Sequence, residues 1–202
     1  MSQPIILLAA GASTRLGQPK QLLRYQGQTL LRRAAETAVA AAGGAPVVVV
    51  TGALHGELLP ELAGLPVRVV RCAEWAAGMG ASLKTGLQAL EQTNEELKAV
   101  VVMLCDQPLL TPAVLRQLAA AHHATGQPMV AAEYGGVRGV PVLFGGGVLP
   151  LLRQLPDAAG AARLLRQHPG QVAPVLFPEG AFDVDTPEQY AALLRREAPA
   201  GC

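Results

Sequence analysis

Four stretches of the chain carry residue types that could do phosphate chemistry. The first is Leu8-Ala-Ala-Gly-Ala-Ser-Thr-Arg-Leu-Gly-Gln-Pro-Lys20, where an apolar run ends in a Gly/Ser/Thr loop carrying Arg15 and Lys20. Such a loop leaves backbone N–H groups available and sets two cations beside them, which suits a polyphosphate. Five residues separate Gly11 from Gly17 and Gln18-Pro19-Lys20 follows, so this is not a Walker A loop. No Gly-x-Gly-x-x-Gly is present here, which sets aside the dinucleotide fingerprint. The second stretch, Cys105-Asp106-Gln107-Pro108, places a carboxylate directly after an apolar run. Asp106 is either a turn cap or a ligand for a hard cation. Mg²⁺ is usually held by one or two carboxylates plus substrate phosphates, so a second acid is expected. The third stretch, Phe182-Asp-Val-Asp-Thr186, offers Asp185 for that place, with Asp183 as the alternative. Both acids could instead complement the dipole of the helix that starts at Pro187. The fourth, Gly78-Met-Gly-Ala-Ser-Leu-Lys-Thr-Gly86, is a glycine loop entering a helix. Ser82 could be the N-cap of that helix, or could hydrogen-bond a base or ribose lying close to the backbone.

The elements that must position these residues alternate. Strands are expected at Ile5–Ala9, 46–51, 67–70, Ala99–Leu104, 129–132, 142–144 and 172–177. Helices are expected at 29–42, 54–63, 81–92, 111–124 and 186–197, with two short ones between 148 and 167. Thr111-Pro112 reads as an N-cap with proline at the first helical position, and Thr186-Pro187-Glu188-Gln189 as a capping box. Alternation of this kind implies a mostly parallel sheet with helices on both faces, in one domain. Ligands then sit beyond the carboxyl ends of the strands, where the acidic and glycine-rich stretches fall.

Composition excludes several classes. The chain has 202 residues, enough to bury roughly 70% of its unfolded surface in a single core. One tryptophan, three tyrosines and three phenylalanines are too few for a stacking platform for single-stranded nucleic acid. A net charge of +1 supplies no broad footprint for nucleic acid or an anionic membrane. Cys72, Cys105 and Cys202 match neither a disulfide framework nor zinc-ligand spacing, and the four histidines read as surface residues. No run approaches the ~20 apolar residues of a membrane span, and no basic leader opens the chain, so a cytoplasmic protein is expected. No side chain offers itself as a general base. That suits a nucleophile already anionic at neutral pH, such as a phosphate, and the four stretches together suit nucleotidyl transfer.

The first stretch resembles the signature of the MobA-like nucleotidyltransferases, whose fold is glycosyltransferase-A-like. Trp75-Ala-Ala-Gly-Met-Gly-Ala-Ser-Leu83, Cys105-Asp-Gln-Pro108 and Phe182-Asp-Val-Asp-Thr-Pro-Glu188 are similar to later motifs of the molybdenum cofactor cytidylyltransferase branch. The resemblance implies a three-layer Rossmann-like domain over 1–198, followed by a tail at 199–202. It implies transfer of CMP from CTP to the phosphate of a molybdopterin-type cofactor, with Mg²⁺ and release of pyrophosphate. Arg15, Lys20 and Asp106 are then catalytic, and Asp106 and Asp185 hold the metal. Leu8, Ala10 and Gly11 wall the base pocket; Ala12, Ser13, Gly80 and Ser82 complete the nucleotide site. The guanylyltransferase branch usually has glycine at position 10, so Ala10 points to cytidine. The branch usually shows Gly-His-Pro where this chain has Gly139-Val140-Pro141, and Pro156-Asp-Ala-Ala-Gly-Ala-Ala-Arg163 only loosely matches its Gly-Asp-x-Gly-Ala-Arg stretch. Both departures bear on the acceptor. Another nucleotidyltransferase, guanylyl or otherwise, acting on a different phosphorylated small molecule is the alternative. A non-catalytic accessory protein for a molybdoenzyme is a third reading. The expected partners are the nucleotide, a phosphorylated pterin and a molybdoenzyme or its chaperone, with no nucleic acid and no membrane.

Overall fold

The computed structural model describes residues 2–13, 16–93 and 96–196. Arg15 and the tail at 199–202 lie outside the described residues. Among those described, seven strands form one sheet in the order β5-β4-β1-β6-β8-β7-β9, and two short strands form a separate hairpin. The sheet strands are β1 (Ile5–Ala9), β4 (Val47–Thr51), β5 (Arg68–Arg71), β6 (Ala99–Leu104), β7 (Met129–Tyr134), β8 (Val137–Gly145) and β9 (Val172–Leu176). β1 pairs in parallel with both β4 and β6, while β8 runs antiparallel to β6 and β7. The result is a single α/β domain with a mostly parallel sheet.

Why the central strands lie inside follows from their composition. Val47-Val-Val-Val-Thr51 and Ala99-Val-Val-Val-Met-Leu104 are apolar at consecutive positions, as a strand covered on both faces requires. Alternate side chains then enter different cores. Ile5, Leu7 and Ala9 pack with α1 (Leu30–Ala42), α2 (His55–Leu62) and α4 (Pro112–Thr125). Ile6 and Leu8 pack on the other face with α3 (Met79–Glu91), α5 (Leu149–Arg153) and α6 (Ala162–Gln167). α1 begins where the Thr29 side chain accepts from the Arg32 N–H and stops where Gly43 turns left-handed at φ 59°.

Three local details differ from expectation. The hairpin of β2 (Arg24–Tyr25) and β3 (Gln28–Thr29) has no counterpart in the expected elements. Its strands are too short to show alternation, and its Gln26-Gly27 turn, at φ 52° and 79°, uses an unusual residue for a turn with two positive φ angles. α3 starts at Met79, capped by Gly78, so Ser82 lies inside the helix and is not its N-cap. Thr111 does hold the N-cap position of α4, but its side chain makes no capping bond.

The hairpin matters because the last helix, α7 (Pro187–Arg195), docks on it. Leu16, Leu23, Tyr25 and Leu30 form a small third core with Val184 and Leu193, and the Tyr190 hydroxyl donates to the Arg24 carbonyl at 2.8 Å. This cluster carries the 182–186 segment to the front of the sheet. Leu193→Ala should lower unfolding stability by about 2–4 kcal/mol, read as a shift in the denaturant midpoint. A loss below about 0.5 kcal/mol would mean that α7 does not depend on this contact.

Candidate active site

From β1 the chain moves to one side to form β4 and β5, then returns to form β6 on the other side of β1. Ligand crevices open at such a switch point, beyond the carboxyl ends of the strands. Here β1 runs into Ala10 and Gly11, and β6 into Cys105 and Asp106. A cleft of about 290 Å³ opens at this place; Leu8, Ala10 and Gly11 line one part of it, Trp75, Met79 and Ser82 another.

Lys20 and Asp106 also line the cleft. The Lys20 ammonium donates to Asp106 Oδ2 at 2.5 Å and to Asp185 Oδ1 at 2.8 Å, so two carboxylates from distant parts of the chain converge on one cation. Burial alone would disfavour the charge on Lys20, but the Asp106 carboxylate beside it outweighs burial and, with Asp185, keeps the ammonium protonated well above the ordinary lysine range. Burial pushes the Asp106 carboxyl above its usual value, and the Lys20 charge pulls against that shift. Backbone ties hold the arrangement: the Val184 N–H donates to the Asp106 carbonyl at 3.0 Å. The expected capping box is present at Thr186, and Gln189 extends it. Gln189 Oε1 accepts from the N–H groups of Asp185 and Thr186 at 2.9 Å each, and its amide donates to Asp183 Oδ1 at 3.0 Å. Asp183 therefore orients the turn, while Asp185 faces Lys20.

One feature of the site suits a hard cation. Asp106 Oδ1 is buried with no hydrogen-bond partner among the described residues, an acceptor suited to a metal. Among those residues no cluster of three or more His, Cys, Asp and Glu side chains forms a metal cage. A cation held by Asp106 and Asp185 would complete its shell with substrate oxygens and water.

The other expected residues are placed as follows. Leu8, Ala10, Gly11 and Ser82 line the cleft, and Ala12 and Ser13 lie in the loop that leaves it. Gly80 does not line it. Its N–H donates to the Asp157 carbonyl at 2.8 Å, and a Cβ there would stand 2.3 Å from the Pro156 carbonyl oxygen. The close approach of the 156–159 loop to α3 is enough to require a glycine here. Val140, expected on the acceptor side, is half-buried, and its carbonyl accepts from Gln107 and Tyr134.

Sequence reasoning missed four residues. Gln21, 1% exposed, braces the anion loop from beneath. Trp75 lines the cleft because Gly52 admits it; a Cβ on Gly52 would stand 2.7 Å from Trp75 Cβ and 2.5 Å from the Ala10 carbonyl oxygen. The Gln107 amide donates to the carbonyls of Val140 and Gly180, tying the end of β6 to the segment that precedes Asp183. Gln189 is the fourth. A glutamine carries no charge and titrates nowhere, so only the motif Thr-x-x-Gln signalled Gln189, and only as a helix cap.

Fold and site together define a nucleotidyltransferase-type α/β enzyme. A family model described as the MobA-like NTP transferase domain matches residues 5–172, and the chain belongs to that family. The nicotine blue oxidoreductase of Paenarthrobacter nicotinovorans is 35% identical, the match covering 94% of this chain and 95% of that protein. The bifunctional protein GlmU of Thermobifida fusca is 31% identical over 85% of this chain, a match that spans 32% of GlmU. The crystal structure of Rv0371c from Mycobacterium tuberculosis superposes with a TM-score of 0.79 at 29% identity, covering 96% of this chain and 99% of that one. A second Rv0371c structure, in complex with manganese, gives a TM-score of 0.76.

Cys72 and Cys105 are buried and free, and burial pushes the Cys105 thiol up to about 12. Near pH 8 both should resist an alkylating reagent in the folded protein and react after denaturation. Mass mapping of the labelled peptides checks this. Rapid native labelling of Cys105 would show the β6 end to be open to solvent. The raised value also has a stability consequence. The unfolded chain loses this proton near the ordinary thiol value of ~8.5, while the fold retains it, so stability falls as pH rises between the two.

Proposed function

We propose that the chain transfers CMP from CTP to the terminal phosphate of a molybdopterin-type cofactor, releasing pyrophosphate, in the cytoplasm. The observation that carries this reading is the meeting of Lys20, Asp106 and Asp185 beside the apolar cleft at the switch point. Leu8, Ala10 and Gly11 receive the base, Ser82 the sugar or base edge, and Ala12 and Ser13 the phosphates. Ala10, where the guanylyl branch resembled above has glycine, supports the smaller pyrimidine.

The reaction is an in-line displacement. An oxygen of the acceptor phosphate attacks the α-phosphorus, and the bond from that phosphorus to the α–β bridging oxygen breaks. The electron pair leaves with pyrophosphate. The attacking oxygen is already ionised, so no base has to remove a proton. Lys20, held protonated, donates to the charge that develops on the leaving group. Arg15, outside the described residues, supplies a second cation on the strength of its position in the sequence motif. Asp106 and Asp185 would hold Mg²⁺, which would neutralise and align the triphosphate oxygens. The chemistry asked of the protein is positioning and charge compensation. Delivery of the product to a molybdoenzyme or its chaperone completes this reading.

A second reading comes from the whole-length match to a protein named as an oxidoreductase. In that case the cleft would hold a nucleotide-bearing redox cofactor. The paired carboxylates around Lys20 favour transfer, because hydride exchange has no use for a cation site at a triphosphate.

Pyrophosphate release from CTP, GTP, ATP and UTP, with and without molybdenum cofactor, tests the proposal. Release is expected from CTP and only with the acceptor; release from GTP alone would reassign Ala10, and NADPH oxidation without any release would favour the second reading. Asp106→Asn should lower kcat/KM at least about a hundredfold, and an unchanged value would move the chemistry elsewhere. Trp75 is the one tryptophan of the chain and lines the cleft, so CTP binding should change its emission. Saturating CTP with constant emission would place the base away from the ring.

A further inference from the structure

Lys20 and Asp106 come with ready chemical roles, but the conformation of the loop that joins them to the nucleotide rests on a neutral, buried residue. The Gln21 amide nitrogen donates to the Ala9 carbonyl at 3.0 Å and to the Gly11 carbonyl at 2.7 Å. Its amide oxygen accepts from the Ser13 hydroxyl at 3.1 Å, and that hydroxyl in turn accepts from the Lys20 backbone N–H at 3.1 Å. One carboxamide thus reaches the loop at Ala9, Gly11 and Ser13, and through Ser13 at Lys20. Gln21 sits on the 3₁₀ turn Lys20–Leu22, directly after the residue that binds the carboxylates.

The consequence follows from peptide geometry. In a planar trans peptide the C=O and the next N–H point in opposite directions. Pinning the Gly11 carbonyl inward onto Gln21 therefore turns the Ala12 N–H to the opposite, outer side of the loop. Ser13 is held at a left-handed φ of 55°, an unfavourable conformation for a residue with a Cβ, and its side-chain bonds to Gln21 and Lys20 offset that cost. An N–H turned outward in this way is available to an anion.

We infer that Gln21 is a positioning residue that presets the loop for the triphosphate. It acts through the carbonyls of Ala9 and Gly11 and the hydroxyl of Ser13, without contributing its own polar atoms to the ligand. This inference rests on the nucleotide-binding reading of the cleft. Its three bonds go to the end of β1 and to the loop that follows, and none to the Lys20 ammonium or to either carboxylate, so the effect belongs to nucleotide affinity and not to the chemical step.

Gln21→Met keeps the length of the side chain and removes all three bonds; Gln21→Glu keeps the shape but sets a carboxylate against two carbonyls. Binding of CTP with Mg²⁺, followed by Trp75 emission and by calorimetry, should weaken by roughly ten- to a hundredfold in Gln21→Met, and more in Gln21→Glu. KM for the nucleotide should rise in step while kcat changes less than about threefold. Amide exchange in the peptide covering residues 9–13 should quicken without nucleotide present. Ser13→Ala, at a half-exposed position, should weaken binding by a smaller factor, and the double variant with Gln21→Met should fall short of the product of the two effects. Wild-type affinity in both Gln21→Met and Ser13→Ala would overturn the inference, as would a kcat that falls with KM unchanged. If the wild type binds no nucleotide, the proposed function fails, and exchange at residues 9–13 alone then decides whether Gln21 shapes the loop.

Discussion

One ammonium group holds the working end of this molecule together. Lys20 stands between Asp106, at the tip of a central strand, and Asp185, ahead of the last helix. Two carboxylates brought this close would repel, and burial already disfavours the charge on Asp106. The lysine makes their approach tolerable. Under the proposed function the same pair of anions would also hold the divalent cation. The rest of the site is arranged to bring these three side chains into register.

That arrangement depends on two kinds of contact. The sheet supplies rigid strand ends, because β1, β4 and β6 are apolar on both faces and each face is covered by helices. The 182–186 segment has no strand to fix it, so it relies on the hairpin cluster around Leu16, Leu23 and Val184 and on the amide of Gln189. Neutral glutamines recur here. Gln21 braces the loop, Gln107 ties β6 to the Gly180 carbonyl, and Gln189 holds both aspartates of the closing motif. A carboxamide donates and accepts at once, so it can fasten backbone to side chain without adding charge beside a phosphate site.

Much of this was legible in the sequence. The valine runs at 47–50 and 100–102 announced buried strands, and the alternation with helices announced the parallel sheet. Lys20, Asp106 and Asp185 stood out as candidates in the sequence, although Asp106 could also have been a turn cap and the acids at 183 and 185 complements to the dipole of the last helix. Ser82 was seen as chemically interesting, but its alternative as an N-cap misses by four residues, since Gly78 holds that position. Gly80 looked like a ligand residue, yet its need for a missing side chain comes from the 156–159 loop, which is nowhere near it in sequence. The hairpin escaped because two-residue strands carry no periodicity. Gln21 and Gln107 escaped because their amides donate to backbone carbonyls, which no residue pattern displays, and Gln189 was legible only as a helix cap.

The span of the Lys20 bridge has a consequence for biosynthesis. Its two ends, Lys20 and Asp185, are 165 residues apart. A nascent chain can complete β1, β4, β5 and β6, and with them the cleft and Asp106, well before the last acid has left the ribosome. Until α7 docks on the hairpin, the cleft carries one carboxylate and a lysine that neutralises it. Asp185 is therefore the last of the three side chains to be synthesised, and the cluster closes only once the segment that leads into α7 is in place.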